Sequence, residues 1–208
     1  MPPKPKFTKE EIIKTSVEIT RKDGIDAITA REIGSILGAS TRPIFTYFES
    51  MDEVKKEVRL FARDLYCKYV LRGIAMPIPF LGVGLQILQF AKEEPELYRL
   101  LFLTKNTNPD EDDAMTALEY SQSLVREPIQ HIYNMDAETA NRYFRDIWLV
   151  CFSLATLVVT GACAYSDEEM GSILTEVSVS VCKAYKEIPG LAKGAFDRDA
   201  VFGELVKK

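Results

Sequence analysis

The sequence predicts an all-α protein in which a small three-helix module precedes a larger helical domain. Three observations carry this. A Ser, Thr or Asn stands three residues ahead of a Glu at Thr8/Glu11, Thr29/Glu32, Ser50/Glu53, Asn108/Glu111 and Ser166/Glu169, the spacing at which a first helical turn satisfies its orphan amides reciprocally. No run of the chain alternates apolar and polar residues between hairpin turns, so strands are not supported. Prolines fall between apolar runs of helical period, at Pro77, Pro79 and Pro95, where they end one helix and open another.

Taken in order, the first box opens a helix from Thr8 to about Arg21 and the second a helix from Thr29 to Leu37. Pro43 is tolerated only in a helix's first turn, so the third helix is expected to begin at Ser40 or Thr41. Ser50 opens a helix to about Arg72, and further helices are expected near 80–93 and 95–103. Asn108, with Pro109 in the first turn, marks another. Residues 147–166, IWLVCFSLATLVVTGACAYS, carry no charge and read as a helix that is apolar nearly all round. Ser166 opens a helix to about Glu187, and 191–208 reads as a tail or a short last helix. The expected division is 1–50 for the module, 51–72 for a connecting helix and 73–208 for the larger domain.

The 208 residues are 47% hydrophobic and carry a net charge of −5, enough for one or two compact cores. Residues 1–60 hold 11 Lys/Arg against 10 Asp/Glu, so the acidic excess lies beyond them. The N-terminus has no apolar run behind its basic residues and is not a secretory signal. Cys67, Cys151, Cys163 and Cys182 are widely spaced and read as free thiols of a reducing, cytoplasmic compartment. Cys151 and Cys163, read as lying on one helix, would stand roughly 18 Å apart, beyond disulfide reach.

In the module, Ile12, Ile13, Val17, Ile19, Ile25, Ile28, Ile33, Ile36, Leu37, Ile44 and Phe48 converge on one small core. Gly38 supplies the positive φ that ends the second helix, and Ser40 is placed to cap the third. This is helix-turn-helix geometry. It turns Thr41, Arg42 and Pro43 outward, where a reading helix meets base edges. Arg42 suits guanine O6 and N7, and the Thr41 hydroxyl or Pro43 ring a base edge or thymine methyl. Thr46 and Tyr47 suit backbone oxygens. A Gly-Ser turn in any helical bundle is the bland alternative.

The stretch GIDAITAREIGSILGASTRPIFTYFESMDEV, within residues 8–60, resembles the TetR family of transcriptional regulators. The likeness lies in a Gly-apolar link, a Thr-capped helix, L-G-x-S and a short aromatic-rich helix ending in Phe. It implies that Thr29 and Arg31 reach DNA from the second helix, and Thr41, Arg42, Pro43, Phe45, Thr46 and Tyr47 from the third. Two positions depart from the family pattern. Phe45 stands for the usual Tyr and Met51 for the usual Lys, each removing a phosphate contact, with Lys55 or Lys56 one turn later as a substitute charge. The resemblance implies a C-terminal domain that dimerises and holds a small-molecule effector, and hence a dimeric repressor that binds a palindromic operator in double-stranded DNA and is released by ligand.

The remaining sequence agrees in outline. Tyr66, Tyr69, Phe90, Tyr98, Phe102, Tyr120 and Trp148 are the candidate pocket aromatics, which suits a largely apolar ligand. The uncharged run packs its own domain on one face and a twin on the other. Phe152 and Val159 in that run, with Ile173, Val177 and Val181 on the next helix, are the candidate homodimer interface. A membrane span is the rival for residues 147–166, opposed by Ser153, Thr156, Thr160 and Gly161, and no membrane partner is expected.

Chemistry of other kinds is not indicated. His131 is the only histidine, so no zinc set forms, and neither metal nor cofactor is expected. Asp110 to Asp113 lack the spacing of a calcium loop. Gly82-Val83-Gly84 follows no strand. No flanking motif supports a Ser-His-Asp arrangement through His131, so no catalytic residue is assigned and the chain is not read as an enzyme. The second reading is a helical partner-binding protein whose opening module no longer reads DNA.

Overall fold

The computed structural model describes residues 7–104 and 114–206. Among these the protein is all-α, with no strands: α1 Lys9–Asp23, α2 Ala30–Leu37, α3 Ile44–Tyr47, α4 Met51–Ile74, α5 Pro79–Glu93, α6 Pro95–Tyr98, α7 Ala114–Tyr133, α8 Ala137–Val159, α9 Asp167–Glu187 and α10 Arg198–Val206. The Asn108/Glu111 start and the acidic run at 110–113 lie outside the described residues. The chain divides into two compact units, Met1–Lys68 with Gln89–Ala117, and Tyr69–Leu88 with Leu118–Lys208. The first thus takes in a later stretch of chain that the expected module, 1–50, left out.

In the first unit the local chemistry sets each helix end. Thr8 and Glu11 form a full capping box at α1, and Thr29 caps α2 by accepting from the Glu32 amide. The core is Ile12, Val17, Ile19, Ile28, Ile33, Ile44 and Phe48, all under 5% exposed. Ile36 departs from the expected core: it is 57% exposed, because Ile33 and Gly34 occupy the buried face of so short a helix. Residues 89–104 close the unit against α1, where α6 packs. The Arg21 guanidinium donates through Nε and Nη2 to both carboxylate oxygens of Glu94, at 2.8 and 2.6 Å, and its ring-like plane lies 5.9 Å from the centre of Phe61. Glu94, 13% exposed, holds the guanidinium charged well beyond its ordinary range.

The helix expected over 95–103 widens after Tyr98 into a π-helical turn, Arg99–Leu103. Two carbonyls of this turn accept from side chains: Arg59 Nη1 donates to Leu100 O at 2.8 Å and Thr104 Oγ1 to Arg99 O at 3.0 Å.

The second unit is built on α8 and α9, which pack side by side. Asp136 caps α8 by accepting from the Thr139 amide, and Ser166 with Glu169 forms the capping box of α9. Phe80, Tyr133, Tyr143 and Phe144 form an aromatic cluster, with Phe80 stacked on Tyr143 at 4.7 Å. Cβ atoms built on Gly73 and Gly82 would lie 2.5 Å from the Val83 backbone and 2.3 Å from Gly73 O; only bare backbone lets α4 and α5 meet this closely.

The uncharged run corrects the expected helix at 147–166. α8 starts ten residues earlier and stops at Val159, because Gly161 turns into the left-handed region at φ 71° and Ala162 and Cys163 both donate to Leu157 O. Cys163 therefore sits beyond the helix that holds Cys151. No helix among the described residues is long and apolar enough to cross a membrane.

Candidate nucleic-acid interface

The turn between α2 and α3 is shaped by two glycines. Gly38 takes the left-handed conformation at φ 61°, which lets Ala39 N donate back to Gly34 O at 2.8 Å. A Cβ on Gly34 would lie 2.9 Å from Ala39 O, so the turn folds flat against α2 only with hydrogen there. Arg42 and Thr41 are thereby presented on the surface, and both are exposed.

The third helix is shorter than expected. Its α-helical turn spans Ile44–Tyr47, and Pro43 sits at its N-cap with φ −59° and ψ −31°. Arg42 and Pro43 form a turn in its place, closed by Ile44 N donating to Thr41 O, and Thr46 N donates to Pro43 O where the helix begins. Ser40 makes no side-chain cap bond to it, which corrects the expected capping role: the helix starts too far downstream for its hydroxyl.

Around that turn Thr29, Arg31, Ser40, Thr41, Arg42, Phe45 and Thr46 are exposed, while Pro43, Tyr47 and Lys55 are half-buried. Several of these polar groups are already engaged. Tyr47 donates its hydroxyl to Phe7 O at 2.9 Å, which withdraws the proton expected to reach a backbone phosphate. Thr29 holds the α2 cap, Thr46 donates to Arg42 O at 3.3 Å, and Lys55 lies 3.6 Å from Asp26 Oδ1. Arg31 and Arg42 have no salt bridge among the described residues. Chemically the surface offers two uncommitted guanidinium groups, the Thr41 hydroxyl and the half-exposed Phe45 ring.

The seven pocket candidates divide between the two units. Tyr66, Phe90, Tyr98 and Phe102 come together in the first unit, with ring centres 4.7 to 6.4 Å apart along the cluster. Tyr69, Tyr120 and Trp148 belong to the second unit. Tyr69 is buried with the Arg72 guanidinium 4.9 Å from its ring centre, and Tyr120 is 40% exposed. Trp148 is buried and stacked on Phe152 at 5.2 Å.

Of the interface candidates, Phe152, Ile173, Val177 and Val181 are half-buried, whereas Val159 is buried within the single chain. Exposed apolar side chains that sequence reasoning passed over are Leu149 and Leu157 on α8 and Val179 on α9. The spacing of Leu149, Ser153 and Leu157 was the signal that could have found the first two.

One groove of the second unit, about 300 Å³, is lined by Tyr133, Tyr143, Ser178, Val179, Cys182 and Lys186, among others. Tyr143 hydroxyl and Ser178 Oγ are 2.6 Å apart, and burial pushes the Tyr143 and Tyr133 hydroxyls up from the ordinary tyrosine range. The groove includes none of the seven aromatics. His131 is exposed in the last turn of α7. Among the described residues no three His, Cys, Asp or Glu side chains come together as metal ligands.

Compared with family models and with curated proteins, the chain matches none of them.

Proposed function

We propose that the chain is a dimeric, ligand-responsive transcription regulator of the TetR kind, a repressor that binds a palindromic operator through two copies of the α1–α3 module and is released by a largely apolar small molecule. The observation that carries this reading is the Gly34/Gly38 turn, which holds Arg42 and Thr41 outward with no ion partner for the guanidinium among the described residues. An arginine so held is suited to bidentate donation to guanine, and Arg31 adds a second cation on the exposed side of α2. Two copies of so short a reading element gain specificity by occupying two half-sites. The homodimer is proposed through α8 and α9, with Phe152, Ile173, Val177 and Val181 joined by Leu149, Leu157 and Val179. Ligand acts by binding more tightly to the state that fits the operator less well.

The test is a fluorescence-anisotropy titration against duplex from upstream of the chain's own gene and against scrambled duplex, at two salt concentrations. Selective binding that weakens with salt is the expected outcome. Arg42→Ala should cost about 1–3 kcal/mol of selective binding with the unfolding midpoint unchanged. Equal, weak binding to both duplexes by the wild-type chain would sink the proposal.

A second reading, a helical partner-binding protein, is favoured by Ile36 and Phe45, which are 57% and 50% exposed, and by the Tyr47 hydroxyl being spent on Phe7 O. Under that reading Phe45→Ser disrupts the function while Arg42→Ala leaves it intact.

A further inference from the structure

Among the described residues, one buried side-chain nitrogen or oxygen has no hydrogen-bond partner: Trp148 Nε1. The indole is 4% exposed, so bulk water does not reach it. A buried donor left unmade costs about 1–3 kcal/mol, and buried polar groups in folded proteins are nearly always paired. Trp148 lies on the inward face of α8 with Phe144, Ile147 and Cys151, none of which offers a side-chain oxygen as acceptor. One turn on, the half-buried Phe152 lies almost parallel to the indole, at 16°. The two rings stack face to face, and the unspent N–H lies in the indole plane at its edge.

We infer that Trp148 is the anchoring residue of the effector site, and that the effector is a neutral, largely apolar molecule bearing one hydrogen-bond acceptor, such as a carbonyl or ring nitrogen, for the indole N–H. This rests on the effector-responsive reading proposed above and narrows its chemistry. Neutrality follows from the donor: a single uncharged N–H does not offset the desolvation of a buried anion. The aromatic neighbours Phe144 and Phe152 on the same helix suit an aromatic or conjugated body.

Trp148 is the only tryptophan of the chain, so a ¹⁵N-labelled sample gives one indole N–H resonance that reports directly on this donor. Three probes of similar size separate the possibilities: acetophenone has an acceptor, ethylbenzene has none and benzoate is charged. Acetophenone is expected to move the resonance downfield and to bind about tenfold tighter than ethylbenzene, the ratio that one net hydrogen bond to a stranded donor provides. In Trp148→Phe, whose ring keeps the stack and loses the donor, the two should bind within about twofold of each other, measured by thermal shift. A resonance unmoved by acetophenone up to its solubility, or moved equally by ethylbenzene, would overturn the inference, as would tighter binding of benzoate. DNA anisotropy run alongside keeps the two claims apart. Absent selective DNA binding with an intact indole response defeats the regulator and not the site; DNA release by acetophenone without an indole response defeats the site and not the regulator.

Discussion

Arg21 and Arg42 stand in the same module and are put to opposite uses. Arg21 donates twice to the mostly buried Glu94 and once to Glu18, so its charge is consumed inside the fold. Arg42 is exposed and has no salt bridge among the described residues. Arg21→Ala is therefore expected to lower stability by about 1–2 kcal/mol, the lower end for bonds between charged groups because the guanidinium is a third exposed. Urea unfolding followed by circular dichroism measures it, and an unchanged midpoint would show the pair to be idle. The cysteines differ in the same way. Burial pushes the Cys151 thiol up to about 12, which leaves almost no thiolate at pH 8, while Cys67, Cys163 and Cys182 are only half-buried. Under native conditions Cys151 should be the last to react with iodoacetamide, as read by peptide mass spectrometry, and should catch up in denaturant.

At the level of elements, helix starts were legible where the signal is local. The boxes at Thr8/Glu11 and Ser166/Glu169 form as read, since both partners lie within one turn. The Asp136 cap was passed over because Thr139, rather than Glu or Gln, stands three residues on. Helix ends were harder to read: an uncharged run gives no sign of where α8 stops, and Gly161 decides it by its backbone alone. The start of α3 was misplaced because Pro43 fits a turn as well as a first helical turn. The exposed face that carries Arg42 was legible even so, because the Gly38 turn that presents it is local. The meeting of α4 and α5 left only Gly73 and Gly82 as a trace. Gly82→Ala would drive a Cβ into Gly73 O, an atom that cannot swing away. The expected cost is about 1–3 kcal/mol, read as a drop in Tm, with Gly203→Ala as a control because open space surrounds that position.

On the scale of the whole molecule, the proposed dimer makes its own demand. Leu149 and Val179 are 49% and 61% exposed in the single chain, so charges placed there disturb little within it. Leu149→Glu combined with Val179→Glu should give a folded monomer by sedimentation velocity, with selective operator affinity reduced more than about tenfold by loss of the second half-site. A double variant that remains dimeric would move the interface elsewhere. The long-range pairings behind such properties are the ones that sequence reasoning missed. Arg21 and Glu94 lie 73 positions apart, and no periodicity links them.

That pairing bears on how the chain can be taken apart. The compact unit that holds α1 to α3 is discontinuous, since it is completed by Gln89–Ala117. A fragment ending after α4 would strip the cover from α1 and leave Arg21 without its carboxylate. The α1–α3 module is thus not a cassette. A chimera that grafts residues 1–60 onto an unrelated helical domain would inherit the exposed Arg31, Thr41 and Arg42 and lose part of what folds them, unless the residues around Glu94, α6 and the π-helical turn travel with the graft.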